Sequence, residues 1–422
     1  MIASSLFGFL SVQKSAKYRW LCDNTRLTPH NNLRFARLTP SRTQTITPKT
    51  RRHRRMKRME SPVTNAAVWK AIGTAALVAI VLGETTAYAA DVSDAKIAFL
   101  MPDEGSTRYE QHDRPGFVAE LKKLCTGCTV LYQNADADAS KQQQQFNSVI
   151  SQGAKAIVID PVDSTAAASL VKQAQSQGVK VIAYDRPIPS VKLDYYVSFN
   201  NEAIGKAIAQ SLVQHLKATG VSPSAGGLLE VNGSPTDAAA GLIKKGVHEG
   251  LAGSGFTTLA EYDTPNWDPS KAQQWVGGQV SRFGKKIVGV VAANDGTGGA
   301  AIAALKAAGV DPIPPVTGND ATIAGLQLII AGDQYNTISK PSEIVGGAAA
   351  DVAVSLLKGE PVKADTTLFG TPTKLFTPAI VTTSNLKAEI IDKRVNGQPI
   401  QTPAQLCTGR YAAGCSKLGI GS

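Results

Sequence analysis

Four short apolar runs decide the fold: KIAFLM (96–101), AIVI (156–159), KVIAY (180–184) and YYVSF (195–199). None alternates polar with apolar residues, as a strand with one wet face would. Each is apolar on both faces, the pattern of a parallel strand covered on both sides. Thr129–Gln133 reads as a further strand, and between the strands the period lengthens. Residues 114–123 put Phe117 and Leu121 on one helical face, with Leu124 just beyond. Residues 140–151 do the same with Phe146, Val149 and Ile150, and 164–176 make a third helix. The glutamine run 142–145 is then the solvated face of a helix. After residue 200 the alternation begins again. The strands are 226–231, 256–262, IVGVVA (287–292), a short one at 315–317, and 337–339. The helices are 201–217, 237–249, 269–282, 296–308, 323–330 and 341–358. Pro/Thr-rich connections and a tail follow. Such alternation predicts α/β architecture with two doubly wound parallel-sheet lobes of about five strands each, and no repeat of solenoid period is present.

The chain has 422 residues, enough for two cores, and a formal net charge of +11. That charge is local. Residues 1–60 hold 14 Lys/Arg against Asp23 and Glu60, whereas from Ala90 onward 29 Lys/Arg face 30 Asp/Glu. The body therefore carries no electrostatic footprint for nucleic acid. Residues 1–89 read as a leader: Met56, Lys57 and Arg58, an apolar run of 13 residues at 71–83, then Ala87-Tyr88-Ala89. That is the order of a secretory signal peptide cut after Ala89, with no cysteine behind it for a lipid anchor. Residues 1–55, Thr/Arg-rich and without pattern, read as an extension of the gene model or a disordered arm. Beyond the leader stand Cys125, Cys128, Cys407 and Cys415, an even number that suits an exported chain with two disulfides. Three connectivities are open, and the local pairs Cys125–Cys128 and Cys407–Cys415 are favoured because each closes within its own loop. A redox role for CTGC (125–128) is disfavoured because the motif ends a helix rather than opening one.

Ligands of open parallel sheets lie beyond the carboxyl ends of the strands. The residues there are polar: Asp103, Asp185-Arg186, Asn200-Asn201, Asn232 to Asp237, Asn266-Trp267-Asp268, Asn294-Asp295, Asn319-Asp320 and Lys340, with Arg108-Tyr109 in the first strand-to-helix loop. Asp and Asn after strands are also ordinary helix caps, and Asn201, Asp237 and Asp295 suit that role. The whole set fits a sugar. Planar side chains bracket neighbouring hydroxyls, each of which donates and accepts, and an aromatic ring such as Trp267 or Tyr109 packs on the C–H face.

The segments KIAFLMPDEGSTRYEQHDR, VIAYDRPI, YYVSFNNEAIG, VNGSPTDAAA, VVAANDGTGGAAIAAL, VTGNDATIAGL and ISKPSEIVGGAAADVAV stand here in this order. In that order they resemble the periplasmic sugar-binding proteins of ABC importers, specifically the xylose-binding branch, over residues 95–400. The resemblance implies the type I periplasmic binding protein fold, two lobes joined by a three-segment hinge with crossovers near Asn200-Asn201, Lys340 and Lys374. The lobes would be 94–200 with 341–375, and 201–340 with 376–400, followed by a tail, 401–422, that holds a Cys pair. It implies ligand contacts at Arg108, Tyr109, Asp185, Arg186, Asp237, Trp267, Asn294, Asp320 and Lys340, a monosaccharide ligand, an importer permease as partner, and a periplasmic monomer. The family's Asn-Asn after the Asp of its SPxD segment is Ala238-Ala239 here, which removes a side-chain bond and leaves arabinose, glucose and galactose open beside xylose.

Other readings fare worse. No nucleophile elbow, P-loop or metal-ligand spacing is present, and His112, His215 and His248 are isolated in the chain. No enzyme activity, metal or cofactor is therefore expected. A sugar-responsive LacI-type regulator shares the fold but needs a helix-turn-helix, and residues 1–60 lack apolar periodicity. A chemoreceptor is a second possible reader of the closed form. Edman sequencing of the exported protein is expected to begin at Ala90 or Asp91; a native chain that retains residues 1–60 would favour the regulator.

Overall fold

The first strand, β1 (Lys96–Met101), shows how each sheet is covered. Ile97, Phe99 and Met101 pack on one face, and Ala98 and Leu100 on the other, all fully buried. The computed structural model describes residues 92–421; the leader reading lies outside the described residues. In chain order there follow α1 (Arg114–Leu124), β2 (Thr129–Asn134), α2 (Ala139–Ser151), β3 (Ala156–Ile159), α3 (Ala167–Ser176), β4 (Lys180–Tyr184), β5 (Tyr195–Phe199) and α4 (Asn201–Ala218). Next come β6 (Gly227–Asn232), α5 (Ala238–Leu251), β7 (Thr257–Asp263), α6 (Pro269–Phe283), β8 (Ile287–Ala292), α7 (Asp295–Ala307), α8 (Ile323–Ala331), β9 (Thr337–Ser339) and α9 (Ser342–Lys358). The chain ends with β10 (Thr366–Leu368), β11 (Thr371–Phe376), β12 (Ala379–Val381), a hairpin of β13 (Arg394–Val395) and β14 (Gln398–Pro399), α10 (Pro403–Leu406) and α11 (Ala412–Lys417).

One sheet has seven strands in the order β10-β11-β5-β4-β3-β1-β2, parallel except for the β10–β11 pair. The other is β7-β6-β8, all parallel. It continues through a single bridge, Val290 to Val316, toward the antiparallel pair β9–β12. The count thus departs from five strands per lobe. Residues 315–317 make only that bridge, because Pro314 and Pro315 offer no backbone N–H. In the other direction, β10, β11 and β12 arise from the Pro/Thr-rich stretch that read as mere connection. The chain leaves the seven-stranded sheet after β5, returns to it with α9 and leaves again between Phe376 and Ala379; Lys374 lies inside β11.

Helix starts follow local chemistry. Asp138, Asn200, Asp237, Asp268, Asn294 and Thr322 each accept backbone N–H groups at the N-termini of α2, α4, α5, α6, α7 and α8. Asn200 and Asn294, not Asn201 and Asp295, are therefore the caps. Asp163 turns its carboxylate onto the Thr165 and Ala166 N–H groups, and α3 starts only at Ala167. Cys125 is joined to Cys128, and Cys407 to Cys415, with Cα–Cα separations of 5.4 and 5.7 Å. The second pair ties α10 to α11 over a satellite core of Ile330, Leu386, Ile390 and Leu406.

Two helix pairs pack through reciprocal glycines. A Cβ on Gly205 of α4 would overlap the Ile243 carbonyl of α5, and one on Gly246 of α5 would overlap the Glu202 carbonyl of α4. Gly116 of α1 and Gly346 of α9 stand in the same relation to the Glu343 and Asp113 backbones. Interiors at native density absorb little extra volume. Gly205→Ala is expected to lower stability by about 1–3 kcal/mol, read as a lower urea midpoint with an unchanged slope.

Candidate functional site

Each sheet reverses its winding once. β1 is followed by β2 on one side and β3 on the other, and β6 by β7 and β8 in the same way. Crevices at such switch points receive ligands, and the segments after β1, β4, β6, β7, β8 and β9 converge here. All nine residues singled out from the sequence line one pocket, together with Ser106, Asn201, Ala239, Ile243 and Asn319. Its free space, counted out to the mouth, is about 350 Å³. Ser106, Trp267, Asn294 and Asp320 also border a wider cleft of about 1500 Å³ that leads outward.

The walls are charged and mutually paired. Arg108 Nη2 lies 2.5 Å from Asp185 Oδ2, and its Nη1 lies 3.6 Å from Asp113 Oδ1. Asp113, which sequence reasoning missed, is fully buried and also accepts from Tyr184 Oη at 2.5 Å and from Ser342 Oγ. Arg186 is surrounded. It donates to Asp103 Oδ2 at 2.9 Å and to the Pro161 carbonyl at 3.2 Å, and its Nε sits 3.3 Å from Asp160 Oδ1 and 3.1 Å from Asp237 Oδ2. Asp160 was also missed, although it follows AIVI just as Asp185 follows KVIAY. Lys340 Nζ meets Asp320 Oδ1 at 2.7 Å.

Asp237 serves as cap and wall at once. Oδ1 accepts from the Ala239 and Ala240 N–H groups, while Oδ2 receives Trp267 Nε1 at 2.9 Å as well as Arg186. Asn294 commits Oδ1 to Thr297. Asn319 lines the pocket with a buried Oδ1 that has no hydrogen-bond partner among the described residues. Asp295 lies behind the wall, where it accepts from Gln334, Thr337 and Thr322 and joins three loops. Burial and the Asp320 charge push its carboxyl up to about 7 against those bonds.

The electrostatics separate the carboxylates. Burial raises the Asp185 carboxyl, but Arg108, Lys340 and Arg186 outweigh it and hold the group below its ordinary range. At Asp160 and Asp237 burial wins over Arg186, and both are raised. Three wall residues, Asp185, Trp267 and Asp320, have φ of +56°, +55° and +100°, where non-glycine residues are uncommon. Tyr196 Oη and Ser198 Oγ pin Asp185 by donating to its carbonyl at 2.8 and 2.7 Å. The two sides also meet directly: Ser164 N–H donates to the Thr236 carbonyl, Thr236 Oγ1 to the Val162 carbonyl, and Ala238 N–H to Ser164 Oγ.

Comparison with known proteins places this architecture. Residues 97–361 match the family model described as periplasmic binding protein domain. The chain belongs to the periplasmic binding protein family. Within that family it falls in the branch of the D-xylose-binding periplasmic proteins. The Escherichia coli member is 34% identical over 314 residues, covering 72% of this chain and 92% of the relative. A multiple sugar-binding periplasmic receptor of Rhizobium radiobacter is 29% identical over 75% of this chain and 95% of its own. Among solved structures, an ABC transporter solute-binding protein of Clostridium phytofermentans with bound β-D-glucose superposes with a TM-score of 0.66 at 25% identity, covering 74% of this chain and 99% of that one. The type I fold expected from the sequence is the fold of the family. Its relatives are solute-binding proteins and not enzymes, in line with a cleft read as a place of binding.

Because Asp320 is the partner of a buried ammonium, its loss has a cost beyond any ligand. Asp320→Ala is expected to lower the stability of the ligand-free protein by about 1–3 kcal/mol in thermal unfolding. The added change Lys340→Met, which removes the stranded charge, is expected to restore most of it.

Proposed function

We propose that this protein captures a monosaccharide between its two lobes and delivers it to an ABC importer, with D-xylose the first candidate. The observation that carries the reading is the pocket itself. Nine planar, charged or aromatic side chains from both sides converge on one pocket between the sheets, the polar, concave kind of place where small ligands bind. The relatives named for D-xylose, for multiple sugars and for bound glucose support the same class of ligand.

In this reading the wall charges hold one another until a sugar arrives. Hydroxyls then slip between Arg108 and Asp185, Arg186 and Asp237, and Lys340 and Asp320, and each hydroxyl accepts from the cation while donating to the carboxylate. Asn294 Nδ2 and Asn319 Oδ1 add one donor and one acceptor, and Trp267 or Tyr109 covers an apolar ring face. Ala239 lines the pocket without a polar group. A hydroxyl there loses a bond worth on the order of 1–3 kcal/mol, which favours a ligand that places a carbon at that point. The first lobe is 94–200 with 341–375 and the second 201–340 with 376–400. The connections after β5, after β9 and after β11 are the hinge, and ligand holds the closed form by contacts that only this form can make. The protein works in the periplasm, as its relatives do, after removal of residues 1–89 as a signal peptide, and as a monomer.

A thermal-shift panel of pentoses and hexoses, followed by calorimetry, tests this. A ligand at about a hundred times its dissociation constant is expected to add roughly 2.7 kcal/mol, and Asp185→Asn is expected to abolish the shift. A response to a hexose alone reassigns the sugar. No response to any monosaccharide, from folded ligand-free protein, overturns the reading.

A further inference from the structure

Glu230 of β6 and Glu261 of β7 stand directly opposite each other in the parallel register. Like charges in that relation repel, and Glu230 is only 1% exposed. Two carboxylates so placed need a cation. His248, in the last turn of α5, supplies an imidazole whose Nε2 lies 3.1 Å from Glu230 Oε2 and 3.1 Å from Glu261 Oε2. The three ligand atoms lie within 4.8 Å of one another.

The other oxygens are already taken. Glu230 Oε1 accepts from Thr258 Oγ1, and Glu261 Oε1 is held by Lys244, which also pairs with Asp263. Each carboxylate is thus anchored by one oxygen and directs the other at His248. Glu230 Oε2 is buried and faced by His248 Nε2, whose aligned hydrogen bond goes to Glu261 Oε2. Three carboxyl groups, Glu230, Glu261 and Asp263, thus gather around one ammonium, Lys244, and the His248 ring.

We propose that Glu230 Oε2, Glu261 Oε2 and His248 Nε2 form a binding site for a divalent transition-metal ion of the zinc class on the second lobe. None of the three lines the pocket described above. The two separations of 3.1 Å from His248 Nε2 are close to the roughly 3.3 Å between neighbouring ligands of a tetrahedral centre with bonds of about 2.0–2.1 Å. An imidazole beside two carboxylates selects against calcium and magnesium, which prefer all-oxygen shells. Thr258 and Lys244 act as the outer partners that orient ligating carboxylates. The His248 side chain is half exposed, so the ion has a path from solvent and a fourth position open to water.

The test uses the tag-free full chain, stripped with chelator, incubated with zinc chloride and freed of unbound metal. Mass spectrometry of the metal is expected to give about one zinc per chain, with the ion lost in His248→Ala and in Glu230→Gln and retained in His215→Ala. The His248 side chain is half exposed, circular dichroism checks that its alanine variant is folded, and a zinc-dependent rise in melting temperature is expected in the parent chain and not in that variant. Sugar binding is expected to be the same in all of these proteins, so the result is independent of the pocket's ligand. No zinc retained by the parent chain would leave the imidazole alone between the carboxylates and overturn the site. So would zinc that persists in both variants.

Discussion

A guanidinium taken out of water must be met by carboxylates, and that requirement at Arg186 organises the whole pocket. The side chain comes from the loop after β4. Asp103 comes from the loop after β1, Asp160 from the end of β3 and Asp237 from the N-terminus of α5. Four segments must converge for one cation to be buried, and one of them belongs to the other sheet. Arg108 repeats the pattern on a smaller scale with Asp113 and Asp185. Buried ion pairs roughly break even against apolar replacements. What this network contributes is position: it holds hydrogen-bonding groups at fixed points around the pocket.

The same constraint explains the backbone. Asp185, Trp267 and Asp320 sit at positive φ, each at a cost of about 1–3 kcal/mol, and each is held by a partner on another segment. Tyr196 and Ser198 fix the Asp185 carbonyl, Asp237 fixes the Trp267 indole, and Lys340 fixes the Asp320 carboxylate. Gly233 has no side chain because the Trp267 ring occupies the place of its Cβ. The strain is spread along the wall that contacts the space between the sheets.

The alternation of buried strands and amphipathic helices was plain in the chain because period and apolar runs are local properties. β1, β3, β4, β5, β8 and β9 lie where their apolar runs put them. What went unread depends on partners. β10 is a three-residue, mostly exposed edge strand, β11 reads TPTKLF with little apolar content, and only the pairings of β10 with β11 and of β11 with β5 reveal them. The β13–β14 hairpin had a local signal, Asn396-Gly397 with both φ positive, which Pro/Thr-rich surroundings hid. In the pairs Asn200-Asn201 and Asn294-Asp295 either residue suits a cap, and the helix takes the first. The pocket residues were legible as a set because they follow strands. Asp160 had the same signal and was overlooked, whereas Asp113 sits at the start of a helix and gave none. His248 is alone in the sequence, and its carboxylate neighbours lie on two strands that only the sheet register brings side by side.

The return of the chain to its first sheet also sets an order of assembly. β1 to β5 are synthesised first, yet while Phe99 of β1 is covered by Phe117 of the early helix α1, the side of β3, β4 and β5 is covered by α9, which begins at Ser342, and the edge of β5 is completed only by β11. An emerging chain therefore has part of one sheet face and one strand edge open while the whole second sheet is being made. Long-range closure of this kind is slow and leaves apolar surface open meanwhile. The first sheet is therefore complete only when residues made near the end of the chain have joined it.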